Sequence, residues 1–208
     1  MNVGGIVLCG GQSKRMGRPK AWLPFAGEIM LPRVVRLLSE AVHPIVVVAA
    51  PEQEVPLLPA EVRLVRDQQG ERGPLEGLAA GLAALVGRAD AAYLSSCDVP
   101  FLQPSFVRRL IDLLGDDLIC VPRVGNFHHP LAAIYRLDVR AKVIQLLAES
   151  RLRPFFLFDS VPTRVVEASE LIDVDPKFQT LRNLNTPAEY EAAQQEAGRG
   201  SERGTLVP

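Results

Sequence analysis

Residues 8–20 read Leu8-Cys9-Gly10-Gly11-Gln12-Ser13-Lys14-Arg15-Met16-Gly17-Arg18-Pro19-Lys20. The stretch follows an apolar run, Ile6-Val7-Leu8, and combines glycines with basic residues and no acid. A glycine pair at a strand end lets the backbone come close to a ligand and turn its N–H groups inward. With the charges of Arg15 and Lys20, such a loop suits a polyphosphate. Its spacing is neither that of a Walker A loop nor that of a dinucleotide fingerprint.

Three further polar clusters follow apolar runs. Ser95-Ser96-Cys97-Asp98-Val99-Pro100 carries an aspartate off the end of a strand. Its carboxylate is expected where Mg²⁺ would bridge phosphate oxygens, because Mg²⁺ takes one or two carboxylates together with phosphate and water. The competing reading, a helix cap, is weakened by Pro104, which makes Gln103 the better cap. Asp67 has the same setting and opens a segment leading to Gly73-Pro74-Leu75-Glu76-Gly77; the alternative for Asp67 is a local turn. The last cluster is Asn183-Leu184-Asn185-Thr186-Pro187, whose asparagines could orient phosphate or metal-bound water.

Candidates for a second, anionic substrate are His129, from the His128-His129-Pro130 segment, and Arg151 and Arg153. Neighbouring residues of an extended chain face opposite ways, so one histidine of the pair can face a pocket. Two adjacent imidazoles without a nearby cysteine make a poor zinc site.

The elements that must position these groups alternate. Apolar runs predict strands at 5–8, 44–50, 62–66, 91–96 and 118–122, with helical periodicity at 31–40, 75–86 and 104–114. This order implies an α/β fold with a mostly parallel, doubly wound sheet. A further strand at 130–136, a helix at 138–149 and a late strand at 163–168 follow, and residues 125–129 are placed to turn the chain antiparallel to its neighbour. In Thr186-Pro187-Ala188-Glu189 the threonine reads as an N-cap and the glutamate completes a capping box, so a terminal helix should run to about residue 196. Residues 1–196 read as one domain, with a disordered Gly-, Arg- and Ser-containing tail behind it.

Of the 208 residues, 48% are hydrophobic, enough for a sizeable core, and the formal net charge is -1. Nothing in that balance draws the chain to nucleic acid or an anionic membrane, so any phosphate site must be local. Cys9, Cys97 and Cys120 are too far apart in sequence for a disulfide framework or a zinc pattern, and a cytoplasmic setting is expected. No apolar run has the length of a membrane span.

Five blocks then occur in order: Gly10-Gly11-x-Ser13-x-Arg15-Met16-Gly17-x-x-Lys20, Asp67 with Gly73-Pro74-Leu75-x-Gly77, Cys97-Asp98-x-Pro100-Phe101, His129-Pro130, and Asn183-x-Asn185-Thr186-Pro187. Together they resemble the molybdenum cofactor guanylyltransferase family. That resemblance implies a Rossmann-like nucleotidyltransferase fold, GTP and Mg²⁺, and transfer of GMP to the terminal phosphate of molybdopterin or its molybdenum form, with release of pyrophosphate. It assigns Leu8, Cys9, Gly10, Gly11, Lys20, Asp67, Gly73 and Asp98 to the nucleotide. It gives catalytic roles to Arg15, Lys20 and Asp98, with Asp98 as the metal ligand. Molybdenum insertion proteins and acceptor molybdoenzymes are the protein partners it implies. The chain departs from the family pattern at Cys9, where alanine is usual, and at Val48-Ala49-Ala50, which lacks the asparagine often found there. Cytidylyl or sugar-phosphate transfer on the same fold therefore remains an alternative, as does a nucleotide-binding protein without catalysis.

Overall fold

Strand β1 (Val3–Leu8) is an interior strand of the main sheet and is buried along its whole length. Its side chains alternate between two cores. Val3 and Val7 pack on one face, and Ile6 and Leu8 on the other. The structure, a computed structural model, describes residues 1–10, 16–67 and 73–203, with side chains described to residue 199.

After β1 come a 3₁₀ turn (Lys20–Trp22) and a small hairpin, β2 (Pro24–Phe25) and β3 (Glu28–Ile29). The hairpin turns through Ala26 (φ 48°) and Gly27 (φ 81°), the positive-φ pair that tight two-residue hairpins require. Two-residue strands are too short to show a period, so the sequence does not reveal them. Then follow α1 (Met30–Ser39), β4 (Ile45–Ala49), β5 (Arg63–Arg66), α2 (Pro74–Leu85), β6 (Ala91–Ser96), α3 (Pro104–Leu113), β7 (Ile119–Val124), β8 (Phe127–His128) and β9 (Ala132–Arg136). The chain continues through α4 (Arg140–Ala148), α5 (Phe155–Phe158), β10 (Thr163–Glu167) and α6 (Pro187–Arg203). Helix α6 passes the end at residue 196 expected from the sequence; residues 204–208 lie outside the described residues.

Among the described residues the main sheet runs β10-β7-β9-β6-β1-β4-β5, with β8 beside β7. The pairs β1–β4, β1–β6, β4–β5 and β7–β10 are parallel. Strand β9 runs antiparallel to both β6 and β7. This is the mostly parallel, doubly wound arrangement expected, with the reversal made near Gly125 (φ 59°). Leu31, Val34 and Leu38 of α1 and Phe106 and Leu110 of α3 cover one face. Leu75, Leu78 and Leu82 of α2 and Val143 and Leu146 of α4 cover the other.

The expected strand 130–136 begins late, at Ala132, for a reason visible in its register. Arg123 faces His128 and Cys120 faces Ile134. Three residues along β7 are thus matched by six on the partner, and the surplus three, His129-Pro130-Leu131, bulge out. Pro130 has no N–H to give the ladder, which makes this the natural place for a bulge. Ala132 N–H closes the bulge on the His129 carbonyl at 3.0 Å.

A stripe of small residues brings α2 against β1. A Cβ on Gly81 would lie 2.6 Å from Ile6 Cγ2, and Ile6 is fully buried. Gly81→Ala should therefore destabilise the chain despite its better helix propensity. Overpacking costs about 1–3 kcal/mol and the helix returns up to about 1 kcal/mol, so a net loss of about 1–2 kcal/mol is expected in urea titration. Unchanged stability would mean that the helix can move off the strand.

Candidate active site

Open α/β sheets bind ligands beyond the carboxyl ends of their strands, where the strand order changes direction. Here β1 is that point, with β4 on one side and β6 on the other. A cavity of about 480 Å³ opens there, its walls including Leu8, Gly10, Val48, Asp67, Gly73, Gly77, Asp98, Leu131, Asn183 and Asn185. A larger cavity of about 650 Å³ lies at the amino ends of β1 and β4, beside Asn2, His43 and Arg88. Its walls carry none of the residues that the sequence singles out, so the smaller one is the candidate site.

Asp98 is the centre of the site and is only 6% exposed. It leaves β6 one residue after Cys97, whose N–H still extends the ladder to the Leu8 carbonyl at 2.9 Å. Asp98 caps no helix: α3 starts at Pro104 with Gln103 in the cap position. Asp98 Oδ1 accepts from Ser96 Oγ at 2.7 Å and from Asn183 Nδ2 at 2.7 Å. Oδ2 accepts from Lys20 Nζ at 2.6 Å, and the same ammonium donates to Asn185 Oδ1 at 2.7 Å. A carboxylate this buried costs several kcal/mol unless paired and hydrogen-bonded, and Ser96, Asn183 and Lys20 supply both.

The partners come from distant parts of the chain, and a third apolar cluster joins them. Met16, Leu23, Phe25 and Met30 around the hairpin pack with Leu184, Tyr190 and Ala193. Leu184 is fully buried, worth roughly 1.5–3 kcal/mol, and its N–H donates to the Asp98 carbonyl at 3.0 Å. Tyr190 Oη donates to the Pro24 carbonyl. The capping box forms as the sequence predicts. Glu189 N–H donates to Thr186 Oγ1 at 3.2 Å, and Glu189 Oε2 accepts from the N–H groups of Thr186 and Asn185. Those backbone donors hold the Glu189 carboxyl below its usual range. The box thereby fixes Asn185 opposite Lys20.

Asp67 stands at the end of β5, its N–H bonded to the Ala49 carbonyl at 3.0 Å. Its Oδ1 is buried without a hydrogen-bond partner, and burial raises its pKa. A Cβ on Gly10 would be 3.6 Å from Asp67 Oδ2, so the two residues form one wall. Gly73 sits in the cap position before α2 at φ 77°, a conformation open to glycine at little cost. The amino end of this twelve-residue helix therefore borders the cavity, where its partial positive charge favours anions. Gly11 and Arg15 lie outside the described residues, as do residues 68–72.

The second-substrate candidates divide. Asn183 and Asn185 line the cavity, whereas His129, Arg151 and Arg153 are not among its lining residues. Arg151 stacks over Phe156 at 4.3 Å, and the Leu152 carbonyl lies 4.0 Å from where a Gly73 Cβ would be, so the backbone at residue 152 passes beside the start of α2. The bulge brings Leu131 rather than His129 to the cavity wall. His129 is half-buried, and burial together with neighbouring His128 lowers its pKa.

Sequence reasoning missed Ser96 and Gln53. Ser96 shares a strand face with Asp98 two residues later, a signal that was present. Gln53 Nε2 donates to the Cys9 carbonyl at 2.9 Å and approaches Cys9 Sγ at 3.3 Å, which ties the first loop to the segment after β4. Neighbouring Cys9 together with burial pushes the Cys97 thiol well up.

The donor set suits a hard cation. Among the described residues no three His, Cys, Asp or Glu side chains cluster to hold a metal. One carboxylate flanked by amide and hydroxyl oxygens is what Mg²⁺ or Mn²⁺ accepts when phosphates supply the remaining ligands, and it is a poor zinc site.

Comparison with known proteins bears on the family and the fold. Residues 5–163 match the model of the MobA-like NTP transferase domain. A probable molybdenum cofactor guanylyltransferase of Mycobacterium avium is 34% identical over 200 residues, 94% of this chain and 96% of the relative. The fold resembles that of molybdopterin-guanine dinucleotide biosynthesis protein A from Archaeoglobus fulgidus, with a TM-score of 0.78, 18% identity and coverage of 96% and 100% of the two chains. It also resembles a Mycobacterium tuberculosis protein solved as a manganese complex, with a TM-score of 0.64, 18% identity and coverage of 94% and 99%.

Two outcomes test the geometry. Ser96→Ala removes a hydrogen bond to a buried charge and should cost roughly 1.5–3 kcal/mol in denaturant titration; a loss near zero would show that Asn183 alone holds Oδ1. His129 with a lowered native pKa binds fewer protons folded than unfolded near its ordinary value of about 6.5. Stability should then fall as pH drops through that value, and His129→Asn should flatten this part of the Tm–pH curve. An unaltered curve would show that other groups dominate.

Proposed function

The chain belongs to the molybdenum cofactor guanylyltransferases of the MobA-like NTP transferase family, and from that premise we propose that it transfers GMP from GTP to the terminal phosphate of molybdopterin or its molybdenum form, releasing pyrophosphate. The observation that carries this reading is the convergence of Lys20, Asp98, Asn183 and Asn185 on the same cavity end as Asp67, Gly10 and the start of α2.

The acceptor phosphate is already an anion, so no general base has to remove a proton. It attacks the α-phosphorus in line with the departing pyrophosphate. Both reactants are negative, and positioning with charge neutralisation supplies the rate. Mg²⁺, held by Asp98 together with phosphate oxygens, would contribute neutralisation of the triphosphate. Lys20, with Arg15 from the first loop, offsets the charge that builds on the leaving group. Asp67 and the Leu8–Gly10 backbone hold the nucleoside, and Asn183 and Asn185 orient the phosphates. Arg151 and Arg153 meet the second anionic substrate, with His129 on the bulge between β8 and β9. Molybdenum insertion proteins upstream and acceptor molybdoenzymes downstream are the partners this reading implies.

Asp98→Asn should lower guanylyl transfer by at least about a hundredfold while the thermal transition persists. Near-normal transfer would remove Asp98 from the mechanism. Lys20→Ala deletes a charge-assisted phosphate contact worth about 1.5–3 kcal/mol, so transfer should slow roughly ten- to a hundredfold. GTP should be used in preference to CTP, ATP and UTP, because guanine N1–H and N2–H₂ can donate to backbone carbonyls near the first loop and a wrong base leaves buried polar atoms unpaired. A transfer assay with each nucleotide and molybdopterin as acceptor decides this. Faster reaction with CTP would move the chain to the cytidylyl reading.

A further inference from the structure

Cys9 is held at three points as the chain leaves β1. Its N–H donates to the Val48 carbonyl at 2.8 Å, its side chain is buried in the core shared with α1, and its carbonyl accepts from Gln53 Nε2 at 2.9 Å. Gln53 is itself fixed. Its Oε1 accepts from Ala50 N–H at 3.3 Å, and its own N–H closes a turn on the Ala50 carbonyl at 3.2 Å. Arg66 Nη1 donates to the Ala50 carbonyl at 2.9 Å and to the Gln53 carbonyl, which clamps that turn from the end of β5. Ala50 offers an N–H and Cys9 a carbonyl, so only one orientation of the side-chain amide serves both. The Cys9–Gly10 peptide is trans, so its carbonyl and the Gly10 N–H point opposite ways. Gly10 walls the cavity and Gln53 does not. Gln53 therefore grips this peptide from outside the wall and turns the Gly10 N–H away from itself. Among the described residues no group accepts that N–H. A donor whose direction is set before binding loses little freedom when an acceptor arrives.

We propose that Gln53 is a positioning residue for the nucleotide: by holding the Cys9 carbonyl it aims the Gly10 N–H at an acceptor oxygen of the bound nucleoside triphosphate. The proposal rests on the reading that the Leu8–Gly10 backbone meets the nucleotide. Gln53 touches neither substrate nor the reacting atoms. It acts through one peptide unit, so its contribution falls on nucleotide binding and leaves the transfer step and the second substrate alone.

The test compares two variants of the whole chain. Gln53→Met keeps the length of the side chain and removes both polar groups. Gln53→Glu keeps an acceptor for Ala50 and removes the donor to Cys9. Binding of a non-hydrolysable GTP analogue in Mg²⁺ is measured by calorimetry, hydrogen exchange of the Gly10 amide by NMR, and transfer by steady-state kinetics. The analogue should slow exchange of the Gly10 N–H in the unaltered chain. In both variants that protection should fall, and the analogue should bind roughly three- to tenfold more weakly, the effect of one neutral hydrogen bond. The KM for GTP should rise by the same factor, with kcat and the KM for molybdopterin unchanged. Folded variants that bind the analogue as tightly as the unaltered chain and protect Gly10 equally would overturn the positioning role and leave the nucleotide site standing. Variants that unfold, or that weaken both substrates alike, would make Gln53 a brace of the fold and overturn it as well. If the unaltered chain binds no analogue, the reading of Leu8–Gly10 as the nucleotide loop falls, and the proposal with it.

Discussion

A carboxylate at 6% exposure is the constraint around which this molecule is arranged. An isolated charge there would cost several kcal/mol, so the chain has to deliver a cation and neutral donors to it. It does so with Lys20, Ser96 and Asn183, two of them from segments far from Asp98 in sequence. Much else in the fold follows from that delivery. The hairpin after the first loop, the burial of Leu184 and the capping box of α6 are the means by which Lys20 and the two asparagines reach Asp98.

The sheet does the complementary work. Placing β1 between β4 and β6 brings the ends of these strands together, and α2 contributes its amino terminus to the same opening. Close packing along Gly77 and Gly81 lets that helix lie low over β1, so its first turn reaches the cavity floor formed by Leu8. Charge and topology therefore converge on one end of the molecule. The walls of the other, larger cavity hold no comparable arrangement.

The sheet was legible in the sequence because its central strands are continuous apolar runs, as in Ile45–Ala49, which is buried at every position. Asp98 and Lys20 were legible because each sits in an unusual string. What escaped had physical reasons. Two-residue strands have no period to read, and the bulge at His129-Pro130-Leu131 arises from register, which depends on the partner strand. For that reason the histidine looked like the pocket residue, while the leucine two positions on lines the wall. Gln53 was invisible because its partner, the Cys9 carbonyl, is a backbone group 44 residues away. Ser96 was recoverable from strand alternation, yet a serine in an apolar strand attracts less notice than the acid that follows it.

The order in which the ribosome makes these parts has a consequence of its own. All strands of the main sheet have been synthesised once residue 167 is made, whereas the two asparagines arrive later, and Lys20 and Asn185 are separated by 165 residues. A nascent chain can thus complete its sheet while the Asp98 cage still lacks its two asparagine amides and the apolar rivet of Leu184. Contacts so distant in sequence form late, after the loop-closure cost has been met. Synthesis interrupted in that interval would leave a well-packed sheet with an unfinished active site: a body able to persist without the chemistry it was built to carry.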